Sequence, residues 1–253
     1  AGTGATTIAS GGSLVTSGVN DKGFSQRTIN NAGTLSWSGT GNINSGNGAT
    51  INNQAGGVFD LQSDQTWAFN IGGNPPLLSN AGTVKKTAGT GTSTLQVVVN
   101  NDGSLLAQSG TMSLNKGGDS HGSFNASAGA TLNFGGNGTM TLETNSTVSG
   151  AGTIGFSGGT VDVNGGYAVT GSTVINVGTA NFNGSASTKD GTLSEGNLSG
   201  SGTLTVGGVM KGTGGNMNGA GATTIGSGGS LVISGGNDKG FSQRTINNAG
   251  TLS

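Results

Sequence analysis

The phrase Asn30-Asn31-Ala32-Gly33-Thr34-Leu35 returns as Asn52-Asn53-Gln54-Ala55-Gly56-Gly57-Val58-Phe59, as Ser79-Asn80-Ala81-Gly82-Thr83-Val84 and as Asn100-Asn101-Asp102-Gly103-Ser104-Leu105. Measured from the glycine before each apolar run, the copies lie 24, 25 and 21 residues apart. A sandwich has no reason to repeat one phrase at that spacing, whereas a β-solenoid does, because each coil lies on the previous one. In such a stack the asparagines of successive coils sit one above another. Their side-chain amides can then hydrogen-bond into a ladder along the axis.

The flanking residues keep the same rhythm. Leu35/Trp37, Phe59/Leu61, Leu95/Val97/Val99, Leu132/Phe134, Met140/Leu142, Ile154/Phe156, Val161/Val163 and Leu204/Val206 alternate with Ser, Thr, Asn, Gly or other non-core residues. A period of two marks strands with one buried face, and helical periodicity is absent. Gly-Gly, Ser-Gly, Asn-Gly and Ala-Gly pairs separate them, as tight corners require. After residue 110 the phrase loosens to forms such as Gly152-Thr153-Ile154, Gly159-Thr160-Val161 and Gly202-Thr203-Leu204. Leu35, Phe59, Leu132, Phe134, Ile154, Val161 and Leu204 are expected to point inward.

A longer repeat overlies the short one. Residues 4–36 and 221–253 differ at only three of 33 positions, Ala9/Gly226, Thr16/Ile233 and Val19/Gly236, at an offset of 217 residues. The chain therefore reads as one continuous solenoid over 1–253, with a 217-residue tandem repeat at 4–220 and the start of the next at 221–253. With coils of ~22 residues and strands ~4.8 Å apart, one repeat makes about ten coils and is about 48 Å long. The two copies are expected to share one coil geometry and to be related by a translation along the axis with some rotation about it.

Composition removes several classes. Glycine is 55 of 253 residues, charged residues are 8%, aromatics 4%, prolines two and cysteines none. There is no Gly-x-y period for collagen, no apolar run of ~18 residues for a membrane span, and no basic excess to attract nucleic acid. A net charge of −1 does not suit a disordered chain, which usually stays soluble by carrying many charges. Without cysteine no disulfide scaffold forms. The chain opens on no signal peptide, as expected of a segment internal to a larger secreted protein.

Leu198-Ser199-Gly200-Ser201-Gly202-Thr203-Leu204-Thr205-Val206, Val148-Ser149-Gly150-Ala151-Gly152-Thr153-Ile154 and the Asn-Asn-x-Gly-Thr-Leu phrases carry a resemblance. The chain resembles the right-handed β-helix passengers of bacterial surface proteins: autotransporters, filamentous-haemagglutinin-like adhesins and giant tandem-repeat adhesins. The resemblance implies an all-β, right-handed parallel β-helix of about ten or more short coils, exported to the cell surface or medium. It also implies a structural role in a fibre, stalk or sheath that can adhere. The implied partners are other copies of the chain, end to end and side by side, and a surface polysaccharide or host receptor. The rival function is a carbohydrate-active β-helix enzyme or a tailspike-like polysaccharide-binding protein.

Signals for chemistry are sparse. Gly150-Ala151-Gly152-Thr153-Ile154-Gly155 fits the dinucleotide pattern, but strand and turn follow where that motif needs a helix. An enzyme would need paired carboxylates, and only Asp60 with Asp64, or Asp119 with His121, stand near one another. His121 is the single histidine, so no metal site of imidazoles forms, and no cofactor or catalytic residue is assigned. Thr-x-Thr ranks of the ice-binding kind are isolated at Thr139-Met140-Thr141 and Thr203-Leu204-Thr205. Lys85-Lys86 reads as a solvated strand edge or a gatekeeper against unwanted pairing.

Ser63 to Pro76, Lys85 to Ser93, Asn115 to Gly122, Ser185 to Gly191, and Val19 to Arg27 with its copy Gly236 to Arg244 break the rhythm and read as loops. The last pair is the candidate lateral-contact site: Asn20, Asp21, Lys22, Phe24, Gln26 and Arg27, with Asn237, Asp238, Lys239, Phe241, Gln243 and Arg244. It joins both charge signs to an aromatic residue outside the local alternation, and it would recur once per repeat.

Overall fold

The computed structural model describes residues 2–253, and among them there is no helix. All strand pairings are parallel, and the chain winds as a three-faced β-solenoid. Twelve strands stack on the first face, running from Ala5–Ile8 through Thr28–Asn31 and Thr50–Asn53 to Gly215–Met217 and Lys239–Phe241. The other two faces share a 22-stranded sheet, because the long strands Gly166–Ile175 and Ser185–Leu193 run through both. Coils take between 18 residues, where Thr179 stacks under Asn197, and 28, where Thr66 stacks under Thr94.

The recurring phrase owes its letters to one corner. Asn31 Nδ2 donates to Asn53 Oδ1, Asn53 to Asn80 and Asn80 to Asn101, each at 2.7 Å, and the four side chains are buried. The ladder ends on Ser120 Oγ, 3.4 Å from Asn101 Nδ2. Two residues on, or four after Asn53, the chain turns so closely over the coil below that a Cβ on Gly33, Gly57, Gly82 or Gly103 would lie within 2.3 Å of a backbone oxygen. Only glycine fits there. The amide and the glycine act together, since the backbone N–H groups of Gly33 and Gly82 donate to the Asn31 and Asn80 side chains at 3.2 Å.

Beyond Ser120 the same position in the stack is held by Leu142, Val163 and Phe182, which is why the phrase loosens. Aromatic packing takes over the interior there. Phe124, Phe134, Phe156 and Phe182 follow one another with ring centroids 5.5, 5.6 and 5.9 Å apart, and Tyr167 meets Phe182 at 5.0 Å. The Tyr167 hydroxyl is buried against Thr173 at 2.6 Å, and desolvation raises its pKa. All seven residues expected inside are at most 2% exposed.

Several expected loops are partly or wholly strand. Ser185 to Gly191 lies entirely within Ser185–Leu193, with Ala186 and Thr188 inward and Ser187 and Lys189 outward. Thr66–Phe69, Thr83–Lys86 and Gly118–Ser120 occupy parts of three others, and Lys22–Ser25 and Lys239–Phe241 lie in the duplicated one. Charge in these segments hides the alternation without breaking it, since a solvent-facing strand position accepts a charged residue as readily as a corner does.

Circular dichroism is expected to show β-structure with no helical signal. Phe134→Ala should lower unfolding stability by about 3–5 kcal/mol, because it empties the middle of the aromatic column. Asn80→Ala should cost about 1–3 kcal/mol by breaking the ladder on both sides, taking from the buried Asn101 Oδ1 its donor and from Asn53 Nδ2 one of its acceptors. Both are read from denaturant titrations, where losses under about 0.5 kcal/mol would place the side chains outside the core.

Candidate functional site

The duplicated segment keeps its local geometry in both copies. Lys22 Nζ donates to the carbonyls of Gly18 and Asn20 at 3.1 and 2.6 Å, and Lys239 to those of Gly235 and Asn237 at 3.0 and 2.5 Å. Gln26 and Gln243 both take the left-handed corner conformation, with φ of 58° and 64°. Arg27 reaches Thr6 Oγ1 at 3.4 Å, and Arg244 reaches the equivalent Thr223 Oγ1 at 2.8 Å and the Ala222 carbonyl at 2.7 Å. Desolvation lowers the Arg244 pKa.

These contacts divide the candidate residues. Phe24 is buried in the core, 6.3 Å from Trp67 by ring centroids, so its break in the alternation marks a strand and not a surface anchor. Its copy Phe241 occupies the matching strand position but is half exposed, because no coil covers the last one. Arg27 and Arg244 turn back onto the coil below, and Lys22 and Lys239 seal their own loops. Asp21 bridges upward to the Asn42 N–H at 2.8 Å and the Asn44 amide at 3.1 Å. Asn20, Asp21 and Gln26, with Asn237, Asp238 and Gln243, remain on the surface. Val19, 76% exposed, is replaced by Gly236 in the second copy, so its apolar patch is not repeated.

The copies sit on different faces. Ala5–Ile8, Ser13–Thr16 and Lys22–Ser25 lie on the first, second and third faces, stacked under Thr28–Asn31, Thr34–Trp37 and Ile43–Gly46. Their counterparts Ala222–Ile225, Ser230–Ile233 and Lys239–Phe241 lie on the second, third and first, stacked on Thr203–Val206, Val209–Gly212 and Gly215–Met217.

A second feature escaped the sequence reading. On the third face Trp67 and Phe69 stack on Ile43 and Ser45, but in the next coil Leu95, which sits over Trp67, is the last residue of its strand. The register slips by two residues, and Phe69 is left overhanging with no strand partner above. A cleft of about 410 Å3 opens beside it, lined by Phe69, Gln96, Asn115, Lys116, Gly136 and Asn137. Lys116 Nζ lies 5.4 Å from the Phe69 ring centre. The six lining residues offer an aromatic surface, three amides and one ammonium, and include no carboxylate. Helical or strand periodicity cannot reveal a slip that depends on which residues two coils choose to pair.

No family model matches the chain, and no curated protein or solved structure matches it.

The carboxylates of the two candidate pairs do not converge. Asp60 accepts from Gln62 at 2.9 Å and Thr87 at 2.7 Å, while Asp64 pairs with Lys86 Nζ at 2.6 Å and accepts from the Gly91 N–H at 2.9 Å. His121 meets Asp102, and not Asp119, at 3.1 Å on the surface. Among the described residues no three His, Cys, Asp or Glu side chains gather as a metal site would require.

Lys86 corrects the reading of Lys85-Lys86 as a solvated edge. It is fully buried, stacked inside between Leu61 and Ala107, and its ammonium also donates to the carbonyls of Ser63 and Ala88. The aliphatic stem fills the core position while the head reaches the loop. Asp64→Ala should therefore be more destabilising than Lys86→Met, since it leaves a buried ammonium without its anion whereas the methionine fills the space without charge. The Lys86 hydrogen bond holds the Asp64 pKa below its ordinary value. A depressed carboxyl pKa gives stability that is present above the unfolded value of about 4 and is lost as pH falls through the folded one. The gap between the parent and Asp64→Asn should accordingly shrink below about pH 4. Denaturant midpoints measured across pH check both the order and the trend.

Proposed function

We propose that the protein is a structural element of an extracellular fibre, stalk or sheath built from tandem β-solenoid modules. The observation that carries this reading is the continuity of the stack through both copies. The second copy adds its coils in unbroken register on the first module's last coils, with the same lysine, glutamine and arginine contacts at its corner. A module that can follow itself in this way makes length, and each copy repeats the same coil contacts. Export to the cell surface rests on the resemblance to bacterial surface β-helices. The surface residues of the duplicated corner, Asn20 and Gln26 with their copies, are the place for side-by-side contact between rods.

The experiment is to compare the chain with one in which residues 4–220 occur several times in tandem. Small-angle scattering and electron micrographs should show straight rods that lengthen by about 50 Å per added module at constant width. Beads on a flexible string would defeat the fibre reading.

The cleft beside Phe69 favours a second reading, adhesion to a polysaccharide. An aromatic ring with convergent amides suits a sugar's apolar face and hydroxyl groups. Its lining holds no acid pair for glycoside hydrolysis, which favours binding over catalysis. Phe69→Ala should weaken retention on a polysaccharide matrix at least tenfold while leaving rod length unchanged. Equal retention by both proteins would dispose of the adhesive cleft.

A further inference from the structure

We infer that the module is a one-third-turn screw, so that each successive copy presents its surface one face further round the rod. The carrying observation is the change of face between the copies. Residues 5–8 begin on the first face, and residues 222–225 begin on the second, ten coils higher in that face's own stack. The 217-residue repeat therefore contains ten coils and one additional face, and its rise is about 50 Å. The sequence-based length of about ten coils is short by that one face.

The step arises from how the later coils are built. Two of them, containing Gly166–Ile175 and Ser185–Leu193, merge the second and third faces into one strand and shorten the circuit to 19 or fewer residues in places. Module length is consequently set by face count, and not by a whole number of turns. The in-or-out sense of every residue survives the change: Thr223 and Ile225 point inward on the second face as Thr6 and Ile8 do on the first. The faces are thus interchangeable hosts for one sequence. Arg244 still finds Thr223 after the shift because both move together.

A patch that occurs once per module then faces three directions in turn and returns to its original face only after three modules, about 150 Å along the axis. A lateral contact between copies made through such a patch joins each rod to neighbours on three sides, where a whole-turn module would line every patch up on one side and favour a flat ribbon. The inference describes the repeat's geometry and does not depend on the protein being a fibre.

The chain has no cysteine, so engineered pairs report the register directly. Thr205 and Thr224 are in-register neighbours on the outside of the second face. Thr205→Cys with Thr224→Cys in the full chain should oxidise to an intramolecular disulfide, since stacked neighbours lie within the Cα separation a disulfide spans. Asn216→Cys with Thr224→Cys should not, because Asn216 stacks under Gly240 on the first face. If residues 222–225 had stayed on the first face, the outcome would be reversed. The reverse result, or no disulfide in either variant, overturns the screw. A cryo-electron reconstruction of the tandem chain adds an independent check: the fourth copy of residues 4–36, and neither the second nor the third, should lie on the same stack as the first. Rods whose copies all share one stack would sink the inference and leave the fibre reading standing.

Discussion

Coils in this protein approach within one strand spacing, and at the corner between the first two faces that spacing leaves no room for a side chain. A methyl group on Gly33, Gly57, Gly82 or Gly103 would collide with a carbonyl of the coil below. The neighbouring asparagine turns inward at the same corner and must find partners for a buried amide, which the coils above and below supply. Amide and glycine together fix where each coil turns. Once that point is set, the pleat decides which residues of the next strand face inward, and the alternation of Leu, Val and Phe with polar residues follows.

The two halves of the column solve the same problem with different chemistry. From Asn31 to Ser120 a hydrogen-bonded file runs up one corner, and after it an aliphatic and aromatic file takes its place. Directional bonds impose register, while rings impose volume. The looser phrases of the second half are compatible with the same fold because Phe124, Phe134, Phe156 and Phe182 lock the coils by contact. Lys86 shows how far the first half tolerates a charge inside, given a carboxylate and two carbonyls at its tip.

Fold class and core were legible because both rest on local rules: period two, turn residues and a phrase at coil spacing. The candidate surface was legible only in part. Phe24 looked like an exposed aromatic because Lys22, two residues before it, occupies the other position on the same side of the strand and disguises the pattern. Ser185 to Gly191 looked like a loop for a similar reason. The cleft beside Phe69 and the face shift between the copies were beyond reach, since both depend on inter-coil pairing, and a count of ~22 residues per coil cannot resolve a third of a turn. Arg27 was legible as a repeated charge but not as one turned back on Thr6, a contact 21 residues away in sequence.

The backbone hydrogen bonds between coils all run along the axis, and this gives the rod a characteristic response to pulling. Tension on the chain's ends peels the rungs of a terminal coil first, because it is held by a neighbour on one side only, while coils further in are held on both. When such a coil yields it releases 18–28 residues of chain, whose extended length is many times the coil's own axial height of ~4.8 Å, before the next one peels. Such a rod is stiff at low force and gives way in discrete steps at high force, lengthening and dissipating work where a brittle strut would snap.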